Sequence, residues 1–234
     1  MFAKAPEPGK VKTRLGRTIG DVAAAKLHEA FVLDMAQTMQ TFRQEQPNAD
    51  DIQLCLAWSG RRGHRCFEAL AGMGFELIEQ PEGDLGARLE RVSAQAFERG
   101  ARRVLITGSD SPTLLARHYD ASFELLNASE PTVVFGPSFD GGYYMVGLNA
   151  PTSCAFDDIP WSQPDTLRVS VARVRAQQGH CCWLTEFWYD VDTIEDLEHM
   201  ERHLSYLRGV QGLKGLFSHT NAQLTSMVRD DKNA

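Results

Sequence analysis

Short apolar runs alternate with amphipathic stretches along this chain, and few folds accommodate that alternation. Ile52–Trp58, Phe75–Ile78, Arg103–Thr107, Thr132–Gly136, Tyr143–Leu148 and Cys181–Leu184 are too short for helices and are bounded by turn residues, as buried strands are. Between them lie apolar residues at helical spacing. Leu27, Phe31, Met35, Met39 and Phe42 mark a helix over about Asp21–Arg43. Leu85, Leu89, Val92 and Ala96 mark another, and Ile194, Leu197, Met200, Leu204 and Leu207 a third over Thr193–Arg208. Shorter helices are expected near Arg62–Leu70, Leu114–Asn127 and Ser162–Gln178. The pattern predicts an α/β fold, a three-layer α/β/α arrangement around a mostly parallel mixed sheet. Thr132–Leu148 reads as a hairpin, an antiparallel departure from it. Residues 1–208 are expected to form one domain, and Gly209–Ala234, with weak periodicity and a polar end, a partly disordered tail. Met1–Ala3 is short for a first strand, which is expected to begin upstream or to be cut here.

Composition narrows the function classes. At 43% hydrophobic residues, the 234-residue chain can bury a substantial core. A net charge of −7 argues against a nucleic-acid polymer as partner. The five cysteines form no C-x-x-C pair, and adjacent Cys181 and Cys182 would point to opposite faces of a strand. They suit buried thiols in a reducing cytoplasm better than disulfides or zinc. No run approaches the ~20 apolar residues of a membrane span. Pro6, Glu7, Pro8 and Gly9 break any leader-like apolar segment, so a cytoplasmic location is expected.

Several segments could carry chemistry. Gly108-Ser109-Asp110-Ser111-Pro112 follows the run Arg103–Thr107 and delivers one carboxylate at a strand end, where open α/β sheets bind ligands. The competing role for Asp110 is a helix cap or Asx turn before Pro112. Residues 1–17 hold Lys4, Lys10, Lys12, Arg14 and Arg17 against Glu7 alone. A cationic Gly/Pro loop of this kind suits a diphosphate, although a solvated basic loop would look the same. It is neither a Walker A loop nor G-x-G-x-x-G. Asp190 and Asp192, two apart, share a face of an extended backbone and suit a hard divalent cation. Asp192 with Glu195 also fits a capping box. Asp140-Gly141-Gly142 permits close backbone approach to a ligand or a plain hairpin turn. Asp84 and Gly86, at a helix start, could face a nucleoside or simply cap the helix. Trp161 could stack on a sugar or base, or sit in the core. His199 and His203 share a helix face without a third zinc ligand, which favours a solvated face.

Taken in order, FAKAPEPGKVKTRL, GDLGARL, VLITGSDSPTL, FGPSFDGGYYMVGL, IPWS and DVDTIEDL resemble the bacterial DUF2064 proteins. These are grouped with GT-A-type glycosyltransferases in the nucleotide-diphospho-sugar transferase superfamily. Similar folds include 2-phospholactate and molybdenum-cofactor guanylyltransferases. The resemblance spans about residues 2–200, and its short first strand departs from the family. It implies a GT-A, Rossmann-like domain in which Lys4, Lys10, Lys12 and Arg14, with Asp84 and Gly86, contact the nucleotide and its phosphates. It implies that Asp110, Asp190 and Asp192 hold Mg²⁺ or Mn²⁺, and that Asp110 and Asp140 take part in catalysis. Gly141, Gly142 and Trp161 would line the acceptor side.

The expected partners are therefore a nucleotide-sugar or NTP and a small-molecule acceptor, with a homodimer open as an assembly. A nucleotidylyltransferase needs the same charged site and stays an alternative to glycosyl transfer. A non-catalytic nucleotide-binding module is the reading from another class. A dinucleotide dehydrogenase would need a glycine fingerprint that is missing.

Overall fold

The computed structural model describes residues 1–207, 210 and 215–231. The chain is of the mixed α/β class, and it forms two compact units, each assembled from separated segments.

The first unit comprises Met1–Ile78, Ser109–Leu115 and the chain from Asp190 onward. Strands β1 (Phe2–Lys4), β2 (Cys55–Ser59) and β3 (Glu76–Glu79, whose last residue begins the other unit) form a sheet in the order β1-β2-β3. β1 runs parallel to β2, with Phe2 opposite Ala57 and Lys4 opposite Ser59. Long helix α2 (Asp21–Glu45) buries the expected Leu27, Phe31, Met35, Met39 and Phe42. α3 (Arg65–Gly72) packs against both α2 and β2. α7 (Ile194–Leu207) buries Leu197, Met200 and Leu204, while His199 lies on its exposed side.

Two elements depart from the sequence expectation. The stretch Lys4–Gly20 reads as a loop, yet Thr13–Ile19 forms helix α1 against α2. At seven residues, with only Leu15 and Gly16 buried, it is too short to show a period. The supposed tail contains α8 (Ser218–Asp231), which packs along α2. Its apolar face is thin, and a polar anchor supplements it. Buried Asp34 of α2 accepts hydrogen bonds from the backbone N–H groups of His219 (3.0 Å) and Thr220 (2.7 Å). A carboxylate from another helix thus caps α8, a function no local pattern announces. Burial raises the pKa of Asp34, against the contacts with Thr220 and His219 that lower it.

The second unit comprises Glu79–Gly108 and Ala116–Tyr189. Its sheet has the order β4-β6-β5-β7, from β4 (Val104–Thr107), β5 (Thr132–Pro137), β6 (Tyr143–Leu148) and β7 (Cys181–Leu184). The β5–β6 hairpin is antiparallel as expected, β6 pairs antiparallel with β4, and β7 joins β5 in parallel. Helices α4 (Leu85–Glu98), α5 (Ala116–Leu125) and α6 (Thr166–Ala176) pack on this sheet. Among the described residues no helix is long and apolar enough to cross a membrane.

Removing the Asp34 carboxylate leaves two helix N–H groups without an acceptor. Asp34→Ala is expected to destabilise the protein by about 2 kcal/mol. Urea unfolding checks this, and an unchanged midpoint would show that α8 docks without the cap.

Candidate active site

Three segments of the first unit converge on one ammonium group. The loop after β1 turns tightly, with Glu7 N–H donating to the Ala5 carbonyl (2.7 Å) and Lys10 N–H to that of Glu7 (3.0 Å). It ends at Lys12, the residue before α1, whose backbone is left-handed at φ 46° and ψ 42°. A lysine in that region is uncommon and is held there by its surroundings. The side chain is 2% exposed, and Nζ lies 5.7 Å from the Phe31 ring centroid. Nζ forms an ion pair with Asp110 and donates to Asp192 Oδ1 at 2.9 Å. Arg14, 62% exposed, pairs with the other oxygen of Asp192. Lys4, the last residue of β1, and Lys10, on the loop, are both exposed.

The segments bearing the two carboxylates are joined by backbone. The Val191 N–H donates to the Asp110 carbonyl at 2.9 Å, and Val191 is fully buried. Asp110 and Asp192 keep 44% and 33% of their side-chain surface exposed, so both can reach a ligand. Burial alone would lower the pKa of Lys12, but Asp110 and Asp192 raise it above its ordinary value. Burial would raise that of Asp110, but Lys12, then His28 and Arg14, hold it below the usual carboxylate range. The ammonium and the carboxylate therefore stay ionised together.

His28 was not anticipated from the sequence. It sits on the apolar face of α2, 3% exposed, with Nε2 3.1 Å from the Lys4 carbonyl. A carbonyl only accepts, so the ring proton is on Nε2 and Nδ1 carries a lone pair. Nδ1 is buried without a hydrogen-bond partner among the described residues and lies 3.8 Å from Asp110 Oδ1. Burial lowers the His28 pKa, which keeps the ring neutral. A lone histidine within an amphipathic pattern gives no sequence signal of such a role.

The D-x-D pair divides its work. Asp192 goes to Lys12 and Arg14, whereas Asp190 accepts a hydrogen bond from Ser111. The anticipated capping box between Asp192 and Glu195 does not form. The box is one residue later: the Asp196 carboxylate accepts from Thr193 N–H (2.8 Å), Thr193 Oγ1 (3.0 Å) and Asp192 N–H (3.0 Å), and Thr193 Oγ1 accepts from Asp196 N–H (3.3 Å). Threonine and aspartate three apart satisfy the reciprocal geometry. This releases the Asp192 side chain for Lys12. Among the described residues no three His, Cys, Asp or Glu side chains converge as a ready metal group.

The remaining candidates belong to the second unit. Asp84 is the N-cap of α4, accepting from Ala87 N–H at 2.9 Å. Gly86 is buried where a Cβ would strike the Phe156 carbonyl and the Trp161 indole, and Trp161 meets Tyr143 edge-on at 6.0 Å. Asp140 accepts from Gly142 N–H (2.9 Å), closing the β5–β6 turn. Gly141 has φ +90°, and any Cβ there would overlap Pro164. The turn is thus glycine-dependent for packing. Beside it lies an open groove of about 630 Å³, lined by Phe139, Gly141, Leu167, Leu184 and Phe187, with Phe139 and Phe187 stacked at 5.6 Å.

The chain matches the family described as "Uncharacterized protein conserved in bacteria (DUF2064)" over residues 39–163, more than half its length. It is a DUF2064 protein. No curated protein matches it at a comparable level. Among solved structures it is similar to one from Desulfovibrio desulfuricans G20, described as a "putative nucleotide-diphospho-sugar transferase". That likeness has 29% identity and a TM-score of 0.80, covering 98% of this chain and 95% of the other. A cytidylyltransferase from Leptospira borgpetersenii serovar Hardjo-bovis (strain JB197) shares 12% identity at TM-score 0.48, covering 99% of this chain and 93% of that one. A CMP:2-keto-3-deoxy-manno-octonic acid synthetase shares 11% at 0.48, covering 74% and 88%. Overlaps that coarse carry no weight for this DUF2064 chain.

The shifted capping box yields a direct check. Asp196→Ala is expected to cost about 1 kcal/mol of stability, whereas Glu195→Ala should stay within about 0.5 kcal/mol of wild type. Equal effects in thermal or urea unfolding would contradict the assignment.

Proposed function

We propose that this DUF2064 protein is a nucleotide-diphospho-sugar transferase, a glycosyltransferase that grips its donor's diphosphate with the help of Mg²⁺ or Mn²⁺. One observation carries the reading: two carboxylates from distant segments bracket a single cationic group beside a second, exposed cation. The likeness to the Desulfovibrio protein supports the same transferase class.

The donor set suits such a cation. Mg²⁺ is ordinarily held by one or two carboxylates plus substrate phosphates and water, not by an all-protein cage. Asp110 and Asp192 would be its protein ligands, and buried His28 Nδ1 adds a free acceptor facing Asp110. Bound there, the cation would supply Lewis acidity and a template for the diphosphate. Lys12 and Arg14 would donate to phosphate oxygens, Arg14 through its planar fork. Once engaged with the phosphates, these cations would present fixed positive charge as the leaving diphosphate gains negative charge. Lys4 and Lys10 would contribute screened point charges. Asp190, fixed by Ser111, would hold the segment that presents Asp192. In the reaction an acceptor hydroxyl oxygen bonds to the sugar C1 as the bond from C1 to the diphosphate breaks. The nucleoside diphosphate leaves with the electron pair. Asp140, with Gly141, Gly142 and Trp161, is assigned to the acceptor on the strength of the family resemblance.

Calorimetry with nucleotide-sugars and NTPs in the presence of Mn²⁺ tests the reading. Asp110→Asn is expected to weaken the tightest of these ligands about tenfold or more, at least 1.4 kcal/mol. Unchanged affinity would remove Asp110 from the site. Pyrophosphate released from an NTP, in place of a nucleoside diphosphate from a nucleotide-sugar, would make the protein a nucleotidylyltransferase. Arg14→Ala should weaken binding and flatten its dependence on salt. An unaltered salt dependence would return Arg14 to the solvent.

A further inference from the structure

The position of Lys12 has a consequence for the order in which ligands enter. Its ammonium sits on the same two carboxylates that would hold a divalent cation. The two cations cannot share those oxygens cheaply, because like charges a few ångström apart repel by several kcal/mol at a partly buried site. Lys12 cannot simply withdraw either. Its side chain is 2% exposed, and a buried ammonium stripped of its counter-charges is strongly unfavourable. Its left-handed backbone, tied into α1 by the Gly16 N–H to Lys12 carbonyl bond (2.7 Å), leaves only side-chain rotation. The ammonium can leave the carboxylates only for another anion within its own reach.

We infer that Lys12 is an internal counter-cation that keeps free divalent ions out, and that a diphosphate admits the metal by taking the ammonium. This rests on the proposed diphosphate-binding role of the loop. The exchange balances charge: a divalent cation replaces Lys12 between Asp110 and Asp192, and the ammonium moves to a phosphate oxygen. Arg14, on the outer oxygen of Asp192 and largely exposed, can follow. His28 Nδ1 remains beside Asp110 as a neutral acceptor, adding no positive charge to oppose the entering ion. Metal and diphosphate are then thermodynamically coupled, each strengthening the other's binding by the same factor. In the presence of Mg²⁺ alone, the free protein keeps its carboxylates paired with lysine, and it takes the metal together with the nucleotide.

Equilibrium dialysis of the full chain against Mn²⁺, with and without inorganic pyrophosphate and corrected by protein-free controls, tests this. Wild type is expected to take up Mn²⁺ at least about tenfold more tightly with pyrophosphate than without, a coupling of about 1.4 kcal/mol or more. Lys12→Met, which keeps length and apolar packing but removes the charge, should bind Mn²⁺ more tightly than wild type without pyrophosphate and gain little from adding it. Wild-type uptake that is equally tight with and without pyrophosphate would overturn the inference while leaving diphosphate binding intact. So would a Lys12→Met protein that binds Mn²⁺ no better than wild type. If Lys12→Met does not fold, by circular dichroism, Lys12→Gln takes its place, and a Lys12→Gln protein that binds Mn²⁺ no better than wild type without pyrophosphate would overturn the inference. Absence of Mn²⁺ uptake under every condition would overturn the inference, and the metal-dependent reading with it. Pyrophosphate binding by calorimetry without metal would then show whether the loop still holds a diphosphate.

Discussion

The ion pairs of Lys12 with Asp110 and Asp192 join the first unit across its sequence. They connect a loop near the start of the chain, a seven-residue excursion at 109–115 and a segment that begins at 190. A buried ammonium without counter-charges, or two facing carboxylates without a cation, would each oppose folding. Together they become a reason for the segments to meet, and the Val191 to Asp110 backbone bond fixes where they meet. The exposure of the two carboxylates matters as much as the burial of the lysine. A fully enclosed triad would be inert structure, whereas one with an open side can exchange partners.

The same device recurs away from the site. Asp34 is a buried carboxylate whose partners are supplied by an element remote in sequence, here the first N–H groups of α8. In both places a polar group that would be costly alone is satisfied by a segment with little apolar surface of its own. α1 and α8 therefore owe their place to polar bonds to a degree that α2 does not, since α2 is held by a continuous buried stripe.

Most of the framework can be read from the sequence, because strands and long helices announce themselves by period. The six runs assigned as strands all overlap observed strands, and the hairpin lies where its turn residues place it. Asp110, Asp192, Lys12 and Arg14 are also legible, as charges at strand ends and in a Gly/Pro loop. What could not be read is the pairing. Nothing in the spacing of Asp190 and Asp192 says that one goes to Ser111 and the other to Lys12, because those partners lie 79 and 180 positions away. The capping box was misplaced by one residue because Asp and Glu both satisfy the pattern, and only the backbone geometry selects Asp196. His28 left no trace, since one polar residue in an apolar stripe is compatible with many environments.

That one-residue shift has a chemical meaning. Were Asp192 the cap of α7, its carboxylate would be spent on backbone N–H groups and could not accept from Lys12. With Thr193 and Asp196 taking that duty, the helix start becomes a rigid mount, and Asp196 also accepts from the Asp192 N–H. The backbone of Asp192 is held while its side chain is free to exchange partners. Asp190 is the complementary case, a side chain engaged by Ser111 beside the Val191 to Asp110 backbone bond. One carboxylate fixes the segment and the other presents its charge. The proposed exchange of a lysine for a metal and a phosphate would need that separation, because a mount that moved with its ligand would lose the geometry each time the cation changed.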